Sequence, residues 1–346
     1  MKIADYIIDS NSPCFIIAEL SANHNGSLKT AIDTVKAAKR AGADCIKLQT
    51  YTADTLTIDS SKDDFIIQSG SIWDGQNYYN LYKQAYTPWD WHPELIKAAK
   101  EEGLICFSSP FDLSAVDFLE ELDVPAYKIA SFEITDIPLI EYVASKGKPI
   151  IISTGIATQD DIELALKTCR RMGNENIALL KCTSSYPAPI EEANIKMIRD
   201  MADKFNVITG LSDHTMGSTI PITAACLGAK IIEKHFILDR SIGGPDASFS
   251  MNEMEFTEMV KAVRDAEKGI GKVDYQLTEK QKAGKNFSRS LYITEDVKCG
   301  ETITNKNVRS IRPGFGLHPK YLKELIGKSF NTDLSKGTRM EFKYVE

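Results

Sequence analysis

No apolar run in this chain approaches the ~20 residues needed to cross a bilayer, which argues against a membrane-spanning helix. The opening stretch, MKIADYIIDSNSP, brings acidic residues early and has no long apolar core. It does not read as a secretory or transit leader, and a cytoplasmic location is expected. CxxC pairs are also missing. The cysteines (Cys14, Cys45, Cys106, Cys169, Cys182, Cys226 and Cys299) are scattered and odd in number, several within apolar runs such as CFIIAE and ICFSSP. That pattern suits reduced, mostly buried thiols, and argues against a disulfide framework or a zinc–thiolate site. Positive charge is not in excess either: 41 Lys and Arg stand against 48 Asp and Glu, a net charge of -7. Nothing advertises nucleic-acid binding, so an anionic ligand must be met by a few local Lys or Arg residues. The rest is ordinary: 43% hydrophobic and 26% charged residues over 346 positions suit one large domain and a small one.

Short apolar runs alternate with amphipathic stretches through the first three-quarters of the chain. Strands are expected near 14–19, 44–48, 104–107, 126–129, 149–152, 177–181, 207–211 and 230–234. Helices are expected over 28–41, 92–102, 113–121, 136–146, 158–171, 193–203, 218–227 and 252–268. Continuous apolar strands that alternate with helices indicate a buried parallel sheet. Eight such units, with polar residues at the end of every strand, favour a closed (β/α)8 barrel over 1–268 rather than an open doubly wound sheet. The 50–90 segment, rich in Tyr and Trp, is too long for a simple connection. It is expected to form a short helix and a lid over the strand ends, although a surface insertion that merely packs fits equally well. A polar, Lys- and Gly-rich linker is expected over 269–287. A small β-rich domain follows over 288–346, with strands in SLYI, ETIT and RSIRP and a helix at 319–326.

Functional side chains of a (β/α)8 barrel project from the C-terminal ends of the strands. Those ends carry Glu19; Lys47 and Gln49; Ser108 and Ser109; Lys128, Ser131 and Glu133; Ser153; Lys181, Cys182, Ser184 and Tyr186; Ser212, Asp213 and His214; and Lys234 and His235, with Asp239 and Asp246 beyond. His214 and His235 fall at equivalent points after adjacent strands. Neighbouring strands lie ~4.8 Å apart, so the two imidazoles can converge. Two imidazoles with a carboxylate, Glu19 or Asp246, suit a divalent metal such as manganese; hydrogen bonds to their own loops are the plainer alternative. Lys47, Lys128 and Lys181 are expected to face one cavity, where a phosphate or carboxylate would partner them with help from serine hydroxyls. Pairing with Glu19 or Glu133 is the alternative. A Schiff-base lysine and a Cys182–His214 nucleophile pair are competing chemical readings.

Taken together, IAELSANHNGS, IKLQTYTADTL, FSSPFD, YKIASFEITD, STGIAT, LKCTSSYPAP, GLSDHTMG, EKHFILDRSIGGPDASFS and RSIRPGFGLHPK are specific. The chain resembles the sialic acid synthase family from about residue 13 to 340. The resemblance implies a (β/α)8 barrel followed by an antifreeze-like (SAF) domain over 288–346. It implies an enzyme that condenses phosphoenolpyruvate with an acetamido sugar, releasing phosphate by C–O cleavage. His214 and His235 match the family's metal ligands, for manganese above all, with magnesium or cobalt as alternatives. Lys47, Ser109, Lys128, Ser131, Ser153 and Ser212 match its phosphoenolpyruvate contacts. Glu19 and Glu133 match acidic residues at the reacting centre, and Tyr186 and Asp246 match the sugar side. Arg312 matches an arginine that reaches the partner's barrel in a domain-swapped homodimer. The chain departs from the N-acetylneuraminate branch in having Ser184 for Asn, Asn25 for Glu and Phe132 for Gly. These departures bear on which sugar is used, and Phe132 is expected to favour a 6-deoxy sugar. The rivals are a Schiff-base aldolase and a non-catalytic sugar-binding protein.

Overall fold

The computed structural model describes residues 1–346. They divide into two compact units, Met1–Gly271 and Lys272–Glu346. In the first unit a small hairpin, β1 (Lys2–Ile3) and β2 (Tyr6–Ile7), precedes eight parallel strands. These are β3 (Phe15–Glu19), β4 (Cys45–Thr50), β5 (Ile105–Pro110), β6 (Tyr127–Ile129), β7 (Ile150–Ser153), β8 (Ile177–Cys182), β9 (Ile208–Asp213) and β10 (Ile231–His235). They close in the order β10-β3-β4-β5-β6-β7-β8-β9, the expected barrel. Outside it lie α1 (Leu28–Arg40), α4 (His92–Glu101), α5 (Leu113–Glu121), α6 (Ile137–Ser145), α7 (Gln159–Arg171), α8 (Met197–Phe205), α9 (Thr219–Cys226) and α10 (Glu253–Ile270). Two further helices, α2 (Ala53–Leu56) and α3 (Tyr78–Ala85), belong to the insertion after β4.

The strands are buried on both faces, which explains their near-continuous apolar runs. Ile3 and Ile8 of the hairpin join a core with Phe15, Ile150, Ile177 and Ile231, the first residues of their strands. The hairpin thus closes the end of the barrel opposite the strand C-termini and leaves that other end for chemistry. Gly210 is needed inside β9: a Cβ there would stand 2.3 Å from the Ile231 carbonyl oxygen of the next strand. Helix starts follow side-chain caps. The Thr158 and Asn252 side chains accept from the Asp161 and Glu255 amides, with the reciprocal bonds also made. One helix begins later than its periodicity suggests. Asn194 has φ +44, outside helical space, so α8 starts at Met197 rather than 193.

In the second unit, β11 (Ser290–Ile293) and β12 (Val308–Ile311) pair antiparallel over a core of Leu291, Ile293, Val297, Ile303, Val308, Leu325, Phe330 and Met340. The ETIT run makes only an isolated bridge, Thr302 to Ser329, rather than a strand. A short helix, α11 (Glu279–Gly284), opened by a Thr278–Gln281 capping box, lies within the Lys-rich stretch before it. Another, α12 (Leu322–Leu325), falls in the expected helical stretch. No helix of either unit is long and apolar enough to cross a membrane.

Candidate functional site

The strand C-termini open into a cavity of about 790 Å³, within the roughly 300–1,000 Å³ of small-molecule sites. Its floor is set by the period-two pleat, which turns every second residue of a strand inward. Glu19, Lys47, Gln49, Lys128, Ser153, Ser212, Glu233 and His235 all line it. Lys47 Nζ lies 2.6 Å from Glu19 Oε2 and 3.7 Å from Glu233 Oε1; Lys128 Nζ is also 3.7 Å from Glu233 Oε1. Gln49 donates to Glu19 (2.7 Å), Lys128 to Ser153 (2.7 Å) and Ser212 to Glu233 (3.2 Å).

The electrostatics follow from burial and these neighbours. Burial pushes the Glu19 carboxyl up, but Lys47, Lys128 and the Gln49 hydrogen bond outweigh it and hold Glu19 ionised. Burial likewise disfavours the Lys47 cation, yet Glu19 and Glu233 more than restore it. Lys128 is less well compensated: burial, with Lys47 alongside, leaves its amine below the ordinary lysine range despite Glu233. Glu233 Oε2 is buried with no partner. Two buried cations against a crowded pair of carboxylates, one oxygen of which is unpaired, form a floor built to exchange partners with an anionic ligand.

Above the floor the two imidazoles converge, with ring centroids 5.3 Å apart. His214 Nδ1 donates to the Thr183 carbonyl (2.9 Å), leaving Nε2 free. His235 Nδ1 is buried without a partner, 3.7 Å from Asp246 Oδ2. Burial, with His214 and Lys47 near, drives His235 well below the usual histidine range, so its ring is neutral. Asp246 accepts from Ser21 Oγ (2.5 Å) and the Ala22 amide (3.4 Å). A neutral imidazole with an orphaned nitrogen beside a second imidazole fits a divalent cation, as ring nitrogens that find no protein donor are free to ligate. No group of three or more His, Cys, Asp or Glu side chains is gathered there at ligating distance, so neither Glu19 nor Asp246 joins the two imidazoles as the expected carboxylate ligand. Tyr186 packs on His214 at 4.3 Å. Cys182 Sγ lies 3.9 Å from His214 Nδ1, which already serves Thr183. That geometry does not make a thiol–base pair.

Strand β6 ends at Ile129, and Ser131–Glu133 form a 3-10 turn. Such a turn rotates about a third of a revolution per residue, so strand alternation no longer applies. Ser131, Phe132 and Glu133 all line the cavity. Glu133 is pushed up to about 7 by burial, against the pull of Lys128, and its Oε2 is buried without a partner. Ser184 donates to Ser131 (2.8 Å). Gly155 makes room for this pair: a Cβ there would stand 2.2 Å from Ser184 Oγ and 2.5 Å from Ser131 Oγ.

Most of the expected residues come together, with three differences. Ser109 sits beside Lys47 (3.3 Å) and is not part of the cavity wall. Lys181 does not face the cavity. With Cys182 inward, alternation sends it outward, where it donates to the Cys182 carbonyl and Thr183 Oγ1. Arg312 is an exposed residue of the second unit. Glu233 is the residue that sequence reasoning missed. It lies two positions before His235, so alternation would have turned it inward as well. Its neighbour Lys234 faces away, into a buried pair with Asp213 (2.5 Å).

Comparisons with known proteins agree over nearly the whole chain. The NeuB family model matches residues 34–275 and the SAF domain model residues 288–338. The chain is 48% identical to the pseudaminic acid synthase of Campylobacter jejuni, over 99% of this chain and 98% of that one. It is 45% identical to the pseudaminic acid synthase of Helicobacter pylori, over 96% and 98%. Among solved structures it is similar to an N-acetylneuraminic acid synthetase from Leptospira borgpetersenii in complex with citrate. That match has a TM-score of 0.73 and 30% identity, and covers 82% of this chain and 94% of that one.

Proposed function

The chain belongs to the NeuB family, and from that premise we propose that it is a pseudaminic acid synthase. It condenses phosphoenolpyruvate with 2,4-diacetamido-2,4,6-trideoxy-L-altrose, giving pseudaminic acid and phosphate. The observation that carries the reading is the floor: two buried lysines held by buried carboxylates beneath a pair of imidazoles. This occurs in a chain 45% and 48% identical to pseudaminic acid synthases over nearly its whole length.

The chemistry assigns work to each group. Lys47 and Lys128 hold the phosphate and carboxylate of phosphoenolpyruvate, with Ser131, Ser153, Ser184 and Ser212 as hydroxyl partners and Ser109 steadying Lys47. The methylene carbon of phosphoenolpyruvate uses its C=C electron pair to bond to the sugar's aldehyde carbon, water adds at the enol carbon, and that carbon's bond to the phosphate oxygen breaks as the ketone forms; of the two water protons, one ends on the former aldehyde oxygen and the other on phosphate. Glu19, held ionised, faces the positive charge that develops at the enol carbon. Glu133, close to neutral in its affinity for a proton, takes the proton of the attacking water and returns one to the departing phosphate. General acid–base groups work best when their pKa lies near the operating pH. Asp246 and Tyr186 position the sugar. A divalent cation held by His214 and His235, manganese above magnesium or cobalt, would supply Lewis-acid polarisation of the sugar carbonyl. Arg312 is proposed to complete the site of a second copy in a domain-swapped homodimer. Mixing Lys128→Ala and Arg312→Ala chains then restores part of the activity.

The test is mass spectrometry of the products from phosphoenolpyruvate, manganese and a panel of acetamido sugars. The expected product is pseudaminic acid with one phosphate released. N-acetylneuraminate or a legionaminate as the favoured product would move the chain to another branch of the family. Borohydride trapping of pyruvate on a lysine, without phosphate release, would replace the synthase reading with an aldolase.

A further inference from the structure

One wall of the cavity has a character opposite to that of its floor. It is built by the insertion after β4. Ile66 bridges to Asn77, and the Ile67 amide donates to Gln76 (2.8 Å), which makes residues 66–77 a short hairpin. Its tip is organised around one carboxylate. Asp74 accepts from the amides of Ser69 (3.1 Å), Gly70 (2.9 Å) and Ser71 (2.9 Å), and from the Ser71 hydroxyl (3.0 Å). Gly70 and Gly75, at φ +74 and +84, permit the tight path. The tip is tied to the barrel by Trp73, which donates to the Pro245 carbonyl (3.3 Å) and packs on Tyr186 at 5.4 Å.

So held, the tip turns Ile72 to the cavity, where Leu56, Ile67 and Tyr82 from the same insertion and Phe132 from the 3-10 turn also line the space. Ile72 is 50% exposed and Phe132 55% exposed, yet both sit on the cavity wall. Large apolar side chains left open to a cavity favour an apolar ligand surface, since covering them removes apolar area from water. The Ser71 hydroxyl donates its proton to Asp74 and accepts from the Trp73 amide. Neither Ile72 nor Phe132 offers a hydrogen-bonding atom to a sugar hydroxyl that displaces water from them, whereas a methyl group needs none.

We infer that Ile72, at the Asp74-organised tip, and Phe132 form an apolar subsite that accepts the deoxy methyl end of the acetamido sugar and rejects its hydroxymethyl counterpart. This rests on the synthase reading and names how that site selects its sugar. Phe132 touches the methyl directly and Ile72 covers it from the insertion, so the selection is a property of the wall and leaves the reacting end of the sugar to the floor.

The test uses the full-length protein with manganese and two sugars that differ only at C6: 2,4-diacetamido-2,4,6-trideoxy-altrose and its 6-hydroxy counterpart. Phosphate release by the unaltered protein with either sugar tests the synthase reading alone; none with any acetamido sugar would overturn that reading and the subsite with it. Given release, the unaltered protein is expected to prefer the deoxy sugar in kcat/KM by roughly 10-fold or more, the scale of one apolar group in a pocket. Ile72→Ala and Phe132→Ala should each shrink that ratio by about fivefold with KM for phosphoenolpyruvate unchanged. Phe132→Leu, which keeps an apolar contact, should retain most of it. An unchanged ratio in both alanine variants, or equal loss in Phe132→Leu and Phe132→Ala, would overturn the inference. Both side chains are exposed, so folding should survive the changes, and an unchanged KM for phosphoenolpyruvate reports that it has.

Discussion

The floor and the insertion wall of the same cavity are built by different means. The floor's groups stand on strand ends, where pleat and barrel closure fix their direction, and each is locked by a charged or hydroxyl neighbour. The wall stands on a hairpin tip that owes its shape to one aspartate and is fastened through one tryptophan. A barrel strand is hydrogen-bonded to a neighbour on each side, which fixes the direction of its side chains. A tip on an insertion can change residue by residue at little cost to the fold. The difference teaches that reaction and sugar choice are separable here: the floor carries the first and the wall the second.

The largest expected effect comes from breaking the floor. Lys47→Ala leaves Glu19 buried without its paired cation and Glu233 with Lys128 alone, and losing one partner of a buried pair costs about 3–5 kcal/mol. Both the urea midpoint and phosphate release should collapse. A stable Lys47→Ala protein with normal turnover would contradict the charge balance described for the floor.

Next in size is Glu133→Gln. Removing a general acid–base group lowers kcat by roughly 10²–10⁴-fold, and the limb of the pH–rate profile near 7 should vanish with it. Stability gives an independent check. Burial raises this carboxyl from 4.5 to about 7, so the folded state favours the protonated form. The stability this contributes is fully present below pH 4.5 and is lost as pH rises through 7. Glu133→Gln should therefore be more stable than the unaltered protein at pH 8, on the order of 2 kcal/mol, and not at pH 4. Equal denaturation midpoints at pH 8 would remove Glu133 from this role.

The smallest effect belongs to the wall. Asp74→Ala frees three tip amides and one hydroxyl, all at an exposed position. It should raise KM for the sugar by about 10-fold and leave KM for phosphoenolpyruvate and the thermal midpoint nearly unchanged. A parallel rise in both KM values would mean that floor and wall are not separable.

How much of this was legible in the sequence follows the same division. The barrel was, because apolar strands at regular spacing admit few arrangements, and the strand-end rule then located Glu19, Lys47, Lys128, Ser153, His214 and His235. Lys181 and Glu233 were misjudged for one reason. The strand-end rule does not separate adjacent residues, although the pleat turns neighbours to opposite sides. The inward Cys182 turns Lys181 out, and the inward His235 turns Glu233 in. For Phe132 the opposite held: alternation argued against it, but β6 had already given way to a 3-10 turn. The wall was legible only as an insertion rich in Tyr and Trp. Its hairpin rests on Asp74 gathering amides flanked by Gly70 and Gly75, a local pattern without periodicity that propensity does not reveal. Ser109 occupies a strand end as expected, yet its hydroxyl accepts from Lys47 and it does not line the cavity, a matter of side-chain packing alone.

The most direct test of the division between floor and wall is calorimetric titration of a protein in which Gly-Gly replaces residues 69–74. Phosphoenolpyruvate is titrated first, in the presence of manganese, and the sugar's KM is then measured by phosphate release. The prediction is an unchanged Kd for phosphoenolpyruvate and a sugar KM raised by about 10-fold or more. Loss of phosphoenolpyruvate affinity as large as the loss for the sugar would contradict it.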